Sequence, residues 1–151
     1  MAGKRSVAIV IWRQGGEQVL TVLRPHRPDD ELRGKWGLPA VTLRPAEDAP
    51  AGAVRCGREK LGIEVAPVAV LGEARAERAS GPIALTLVEA RALSWPPNLP
   101  DPATNPEVTL YEAWDWKRPA ELRPTAEAGS LCCRLLLELV EEDRVSDQQG
   151  S

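Results

Sequence analysis

The chain has 151 residues and a mass of 16.4 kDa, which suits one compact domain, because a chain of this length buries most of its apolar surface without cross-links. Its hydrophobic fraction of 43% and charged fraction of 27% are ordinary, and a formal net charge of -3 gives no basic field to attract bulk nucleic acid. The three cysteines, Cys56, Cys132 and Cys133, lack the number and spacing of a disulfide framework or a zinc site, so we expect a cytoplasmic location.

The first segment with strand character is 6–12, SVAIVIW, which follows Lys4 and Arg5. It is too short to span a bilayer and no small-residue cleavage site follows it, so we expect a β-strand and no membrane partner. A second β-branched segment, 18–24, follows RQGGE, whose glycines suit a tight turn. The pattern predicts an antiparallel hairpin.

The segment 24–39 is rich in proline and charge, which is typical of a surface loop that carries function. A helix is predicted after it, beginning at an Asp48 cap and ending at Gly62. Gly57 costs such a helix about 1 kcal/mol relative to alanine, and a close approach of helix and sheet would offset that cost. Helical spacing predicts a core face and a second stripe. The core face holds Pro50, Val54, Gly57 and Leu61, and the second stripe holds Gly52, Cys56, Glu59 and Lys60.

Further strands are predicted at 63–77 and 83–93, where apolar and polar residues alternate. The proline-rich segment 94–106 is expected to be a loop, because proline breaks both helices and central strands. Strand character returns at 107–116. Together with the first two strands, these elements predict an α/β fold with a mixed sheet.

The last predicted element is an amphipathic helix at 126–142, with an apolar stripe that includes Leu131, Leu135 and Val140. The polar residues after it are expected to fray. The sequence therefore predicts a single domain over residues 1–143 and a disordered tail over 144–151.

The order of these elements, with GKWGLP leading into AEDAPAGAVRCGREKLGI, resembles the Nudix hydrolase family. That family's box is G-xxxxx-E-xxxxxxx-R-E-U-x-E-E-x-G-U, where U is apolar, and it fits Val41 to Ile63 without gaps. The resemblance implies a Nudix-type α/β/α sandwich with a mixed β-sheet. The positions that match the box are Glu47, Arg55, Glu59, Gly62 and Ile63.

The box is degenerate at four positions, where Val41, Cys56, Gly57 and Lys60 replace a glycine, a glutamate, an apolar residue and a second glutamate. The resemblance implies attack of water on a nucleoside diphosphate derivative, assisted by Mg²⁺ or Mn²⁺ held on the helix glutamates. A thiol is a soft ligand and an ammonium cannot ligate, so this helix should bind a divalent metal weakly at best. We therefore expect weak hydrolysis.

The resemblance implies catalytic roles for Glu59, Arg55 and Glu47, with Arg55 and Glu47 paired to brace the loop against the helix. Any metal would be held by Glu59 and Glu112, and without activity no cofactor is expected. Glu107 competes with Glu112 for this role, and for either one an exposed glutamate at a strand edge is the plain alternative.

Substrate contacts are expected from Lys60, whose ammonium would face a diphosphate where a metal otherwise sits. Arg24 and Arg27 are candidates for phosphate contacts, although arginines in such a loop often only solvate it. Trp95 and Trp114 are candidates for stacking on a nucleobase, with core packing as the alternative.

Cys56 has two interpretations, because spacing of three and four residues directs it, Glu59 and Lys60 to one helix face. Basic neighbours would lower the pKa of its thiol and make it a nucleophile, whereas the plain interpretation is a small residue tolerated where catalysis no longer selects. Two functions follow for the chain: a divergent, weak Nudix-type pyrophosphohydrolase, or a catalytically inactive regulatory domain that binds a nucleotide or a protein. Homodimerisation is left open.

Overall fold

The computed structural model describes residues 3–79, 81–104 and 108–149, and the side chains of the last helix up to Glu142. The strands are β1 (Lys4–Val10), β2 (Val19–Leu23), β3 (Trp36–Gly37), β4 (Ala40–Thr42), β5 (Val65–Arg78), β6 (Gly81–Ala92) and β7 (Ala113–Lys117). The helices are α1 (Ala49–Cys56), α2 (Arg123–Glu127) and α3 (Leu131–Gln149). A π-helical turn, Gly57–Leu61, continues α1, and short 3-10 turns lie at Pro102–Thr104 and Pro119–Leu122.

The strands form two sheets, with orders β4-β1-β6-β5 and β3-β2-β7. β1 and β6 run parallel, and the other pairs are antiparallel, so the larger sheet is mixed. Alternate residues of β1 enter two different cores, because side chains of a strand alternate between its faces. Val7 and Ile9 pack with Ala53 of α1, whereas Ala8 packs with Leu136 of α3. The predicted α/β fold, a mixed sheet between helices, is confirmed.

The predicted hairpin of the first two strands is only partly correct. The chain does reverse tightly after β1, with Gly15 and Gly16 at positive φ, and Trp12 bridges Val19 across the turn. The two strands then enter different sheets, since β1 pairs with β4 and β6 while β2 pairs with β3 and β7. β3 and β4 lie in and just after the segment expected to be a loop, and each pairs with one of these strands.

The signals at the ends of the predicted helix are confirmed, but its core face is partly wrong. The Asp48 carboxylate accepts a hydrogen bond from Ala51 N at 2.8 Å, and Gly62 ends the helical segment with φ of 66°. Gly57 and Leu61 are buried as expected, whereas Pro50 is exposed. Several residues of the second stripe are instead buried, because sheet and loop cover both sides of the helix. They are Gly52, Cys56 and Lys60.

The remaining elements follow the predictions with shifted ends. β5 and β6 fall where strands were expected, β7 is shorter than 107–116, and the closing helix is divided at Gly129, whose φ is 112°. Leu135 is buried in the core, and Leu131 and Val140 pack against it as predicted. No helix in the described part of the chain is long and apolar enough to cross a membrane. The domain boundary at residue 143 stays a prediction.

Candidate functional site

A groove of about 710 Å³ lies between β4, the π-helical turn, the segment 108–111 and the start of α3. Its described lining contains five basic side chains and one carboxylate: Lys4, Arg24, Arg55, Lys60, Arg78 and Glu59. Asp30 and Glu47 pair with Arg24 and Arg55 from outside the groove, yet positive charge still exceeds negative charge. We call this region the basic groove.

Arg55 joins α1 to the loop before it. Its Nε and Nη2 donate to the two carboxylate oxygens of Glu47 at 2.9 and 2.7 Å, and Nη2 also donates to the carbonyl of Thr42 at 2.7 Å. The hydrogen bonds from Arg55 lower the pKa of Glu47 to about 2. The predicted pairing of Arg55 with Glu47 is confirmed, whereas a catalytic role for either residue stays a prediction.

Glu59 is the carboxylate in the basic groove, and its side chain is 47% exposed. Arg55 Nη1 donates to it at 3.1 Å, and Arg44 Nη2 lies 3.7 Å from its other oxygen. Both arginines therefore compete with any cation for this carboxylate. Glu59 faces the groove as predicted, but its two carboxylate oxygens are already paired with arginines of the same chain.

Lys60 occupies the floor of the basic groove and is only 8% exposed. Its Nζ donates a hydrogen bond to the carbonyl of Thr109 and lies 5.5 Å from the ring centroid of Tyr111. Burial lowers the pKa of the Lys60 ammonium, because the interior solvates a charge less well than water does. The residue therefore provides a buried positive charge that one backbone carbonyl and one aromatic face only partly compensate.

Cys56 does not share the groove-facing side with Glu59 and Lys60, contrary to the expectation from helical spacing. Its side chain is fully buried among apolar residues of the core that contains Val7, Ile9 and Ala53, which we call the α1-side core. Burial raises the pKa of this thiol to about 12, although Lys60 and Arg55 act in the opposite direction. The nucleophile interpretation is therefore wrong, and the structure fits a small core residue.

The two arginines expected to contact phosphate lie in different places. Arg24 lines the basic groove, where its Nε donates to Asp30 Oδ2 at 2.8 Å. Arg27 does not line the groove, and its Nη2 donates to the carbonyl of Pro102 at 3.4 Å. Arg24 thus stays a candidate for phosphate contact, whereas Arg27 instead connects two loops.

The predicted pairing of Glu59 with Glu112 in one metal site has no support in the groove geometry. Glu112 is exposed and is absent from the lining of the basic groove, and Glu107 lies outside the described residues. Asp101, another conceivable carboxylate, is used in its own turn, where it accepts from Ala103 N at 2.9 Å. Among the described residues no three acidic, histidine or cysteine side chains are placed to hold one metal ion.

The two tryptophans expected to stack on a nucleobase also lie outside the basic groove. Trp95 is 44% exposed and packs with Trp114 and Trp116 in a cluster whose ring centroids are 5.2 to 6.3 Å apart. Trp114 is half-buried against the α1-side core. These indoles therefore do not contact a ligand that is confined to the groove.

Some residues of the groove carried no signal in the sequence. Lys4 on β1 and Arg78 on β5 read as ordinary charges at the ends of strands, and only the pairing of β1, β5 and β6 directs them to one cavity. Tyr111 is buried and accepts a hydrogen bond from Ala40 N at 3.1 Å. As the only tyrosine in the chain, it could have been singled out as a buried polar group in need of a partner.

The fold is shared by solved structures of low sequence identity. A MutT protein from Methanosarcina mazei Go1 matches with a TM-score of 0.69 and 18% identity, over 93% of this chain and 94% of that chain. A NUDIX hydrolase from Nitrosomonas europaea matches with a TM-score of 0.67 and 18% identity, over 96% and 90%. A UDP-X diphosphatase matches with a TM-score of 0.65 and 12% identity, over 95% and 65%.

A search of curated protein sequences finds no match. The model of the NUDIX domain, in contrast, matches residues 3–131, which is most of the chain. That match covers both sheets, the helix with the Arg55–Glu47 pair, and the basic groove up to the start of α3. The chain therefore belongs to the Nudix domain family.

Proposed function

We propose that this protein binds the diphosphate group of a nucleoside diphosphate derivative in the basic groove, without a resident metal ion. The observation that supports this proposal is the charge of the groove, with five basic side chains and the single carboxylate Glu59 in its described lining. A concave site lined by one sign of charge concentrates ligands of the opposite sign. The name of one structural relative, UDP-X diphosphatase, fits a ligand of this class.

Lys60 is the residue to which we assign the largest share of this binding. At an effective surface dielectric, opposite unit charges in contact attract by about 4 kcal/mol, and burial reduces screening by salt. The Lys60 ammonium is buried and, within the described part of the chain, donates one hydrogen bond, to the carbonyl of Thr109, so two of its three donors are left for an anion. Arg24 lines the same groove and can add a forked contact to a phosphate.

The residues of the groove do not fit a tightly held divalent metal. Mg²⁺ prefers several oxygen ligands, and here Glu59 is the one carboxylate that lines the groove in the described residues. Two arginines already contact Glu59, and Lys60 adds positive charge nearby. We therefore assign no step of a reaction to a bound metal.

A second candidate is weak, metal-dependent pyrophosphohydrolysis of the same ligand class. It is favoured by the exposed Glu59 and by the intact Arg55–Glu47 pair, both at positions that match the Nudix box. Such an activity would need Mg²⁺ or Mn²⁺ that arrives with the substrate, because Mg²⁺ is often bound by one carboxylate together with substrate phosphates. If this activity is absent, the protein is a regulatory domain that binds its nucleotide without hydrolysing it.

The first experiment measures binding of nucleoside diphosphates, nucleotide sugars and dinucleoside polyphosphates by calorimetry in the presence of EDTA. We expect binding by the wild type and a loss of at least about tenfold in affinity for Lys60→Met, since a buried charge is removed. Lys35→Met is the matched control, because Lys35 lies outside the groove lining, and it should bind like the wild type. Unchanged affinity in Lys60→Met would contradict the proposal.

The second experiment separates binding from turnover. Product release is measured with Mg²⁺ or Mn²⁺ for every ligand that binds, and wild type is compared with Glu59→Gln. Turnover that disappears in Glu59→Gln would support the weak hydrolase. Binding without turnover in any metal would support a domain that only binds its nucleotide.

A further inference from the structure

A second pocket of about 560 Å³ lies away from the basic groove. Its walls include three indoles, two guanidinium groups and a carboxylate: Trp12, Trp95, Trp116, Arg13, Arg91 and Glu89. We call it the tryptophan pocket. It shares no lining residue with the basic groove among the described residues.

The two cavities lie at opposite ends of the same pair of parallel strands. The basic groove uses Ser6 near the start of β1 and Leu85 of β6, whereas the tryptophan pocket uses Trp12 beyond the end of β1 and Glu89 of β6. A strand rises about 3.3 Å per residue, so these positions are on the order of 15 Å apart. Each pocket can therefore take a ligand of its own.

Contacts between the indoles themselves hold the aromatic wall of the tryptophan pocket together. Trp95 and Trp116 stack with 17° between their planes and 5.2 Å between centroids, and Trp114 meets both rings nearly edge-on. Arg13 lies over Trp116 at 5.8 Å, and its Nη1 is fixed by Gln18 Oε1 at 2.9 Å. Trp95 is the member of this cluster with a large exposed surface, and that surface borders the pocket.

The loop that carries Trp95 is anchored on both sides. Leu93 N donates to the carbonyl of Glu64 and Glu64 N donates to Ser94 Oγ, both at 2.8 Å. Asn98 N donates to the carbonyl of Leu61, again at 2.8 Å. Because these bonds hold the loop before binding, a ligand that stacks on Trp95 pays little additional ordering entropy.

The polar groups of the tryptophan pocket select among the ligands that three indoles can hold. A cage of aromatic rings can bind a quaternary ammonium, but Arg13 and Arg91 would repel such a cation here. Glu89 is half-buried, and it forms no ion pair within the described part of the chain; nor does the exposed Arg91. A carboxylate accepts N–H donors, and a guanidinium donates to carbonyl or ring-nitrogen acceptors.

We propose that the tryptophan pocket binds a nucleobase, which stacks on Trp95 and presents its hydrogen-bonding edge to Glu89 and Arg91. A nucleobase combines a flat aromatic face with N–H donors and with acceptors on one edge. The volume of the pocket lies in the range that small-molecule sites occupy. This site is independent of the proposed function of the basic groove, because the ligand needs no phosphate.

Nucleosides without phosphate are the probes, because the basic groove has no anion to bind in them. Guanosine, adenosine and uridine are titrated against the full chain while intrinsic tryptophan fluorescence is recorded, and choline is titrated in parallel. We expect saturable quenching by at least one nucleoside and none by choline. Quenching by choline alone would overturn the proposal in favour of a cation cage, and quenching by none of the four would overturn it outright.

Variants then assign the signal to the pocket. Trp95→Ala should weaken nucleoside affinity at least about fivefold, since the loss of one base-stacking contact has about that effect or more. Glu89→Gln should change the preference among the three nucleosides, because it replaces a pure acceptor by a group that also donates. Leu93→Ala is the matched control, because Leu93 is exposed beside Trp95 and does not line the pocket.

The basic groove supplies the final discrimination. Lys60→Met should leave nucleoside affinity unchanged, even if that variant loses nucleotide binding in the groove. A nucleoside signal that disappears in Lys60→Met and persists in Trp95→Ala would place the base in the basic groove and would overturn the second site. Failure of nucleotide binding in the groove, with the nucleoside signal intact, would contradict only the function proposed for the groove.

Discussion

Arg55 holds Glu47 through two hydrogen bonds of 2.9 and 2.7 Å, and this pair fastens the loop before α1 to the helix. The side chains of both residues are largely buried, at 16% and 12% exposure. The same guanidinium also reaches the carbonyl of Thr42 in β4 and the carboxylate of Glu59 in the basic groove. One side chain thus positions a loop, a strand and the groove relative to one another.

Arg55→Lys should destabilise the protein by about 2 kcal/mol, because a lysine cannot reproduce the planar fork that binds both oxygens of Glu47. Urea unfolding followed by circular dichroism measures the change. Arg58→Lys is the control, since Arg58 makes a comparable pair with Glu64 but is 62% exposed, so water and salt screen this pair and the substitution should cost clearly less than Arg55→Lys. Equal losses in the two variants would contradict a special role for Arg55.

Protonation of Glu47 should contribute to the loss of stability at acidic pH. Its pKa is about 2 in the folded chain and near 4.5 when unfolded, so its stabilising contribution is complete above pH 4.5 and is lost as pH falls toward 2. The stability difference between wild type and Glu47→Gln should therefore shrink between these values. Urea unfolding at a series of acidic pH values measures this difference, and Glu73→Gln is the control, because Glu73 is exposed and forms no ion pair among the described residues.

Local signals in the sequence were sufficient to predict where the helix begins and ends. Asp48 and Gly62 mark the helix ends because capping and a left-handed C-terminal residue depend only on nearby backbone. The Arg55–Glu47 pair followed instead from the resemblance to the Nudix box, which both residues match, and from the fit of a guanidinium fork to a carboxylate. Most strands were also predictable, because alternation of apolar and polar residues and the turn residues between strands are local patterns as well.

Long-range placement was not predictable from local patterns. Helical spacing put Cys56 and Lys60 on one groove-facing stripe, but Cys56 is buried in the core, whereas Lys60 lies on the floor of the groove and donates to the carbonyl of Thr109. Trp95 was a candidate for stacking on a nucleobase of the substrate, yet it follows the far end of β6 and lines the tryptophan pocket instead of the basic groove. The periodicity of apolar residues alone does not determine which strands pair or which side chains a distant segment buries.

A side chain at Gly57 should destabilise the protein, although alanine favours helices. A Cβ at this position would lie 3.0 Å from the carbonyl oxygen of Ile63 and 3.0 Å from Val65 Cγ1. We expect Gly57→Ala to destabilise by about 1–2 kcal/mol, because the overpacking exceeds the gain in helix propensity. In a double-mutant cycle with Val65→Ala, the combined loss should be smaller than the sum of the single losses. A stabilising Gly57→Ala would show that the helix can move away from the sheet.

Lys60 should make stability rise with alkaline pH. Burial lowers its pKa below the ordinary value of 10.5, so the unfolded chain binds this proton more tightly, and folding becomes more favourable as pH rises from the lowered pKa toward 10.5. The difference in unfolding free energy between wild type and Lys60→Met should therefore grow in favour of the wild type over that range. Urea unfolding from neutral to alkaline pH measures it. Lys35→Met should give a flat difference if the effect belongs to Lys60.

The effect of divalent metal on the melting temperature should depend on the charge of the side chain at position 60. Wild type should show no rise in melting temperature with millimolar Mg²⁺ or Mn²⁺, because Glu59 is the only carboxylate in the described groove lining and a ligand stabilises a protein only if it binds the folded state. Lys60→Glu restores the second glutamate of the box, so without metal it should melt below the wild type, since two carboxylates then repel each other in a poorly solvated site. Either metal should recover several degrees of that loss. Lys35→Glu is the control for the change in net charge and should respond to neither metal. A wild type stabilised as strongly as Lys60→Glu would mean that the groove holds a metal despite its lysine.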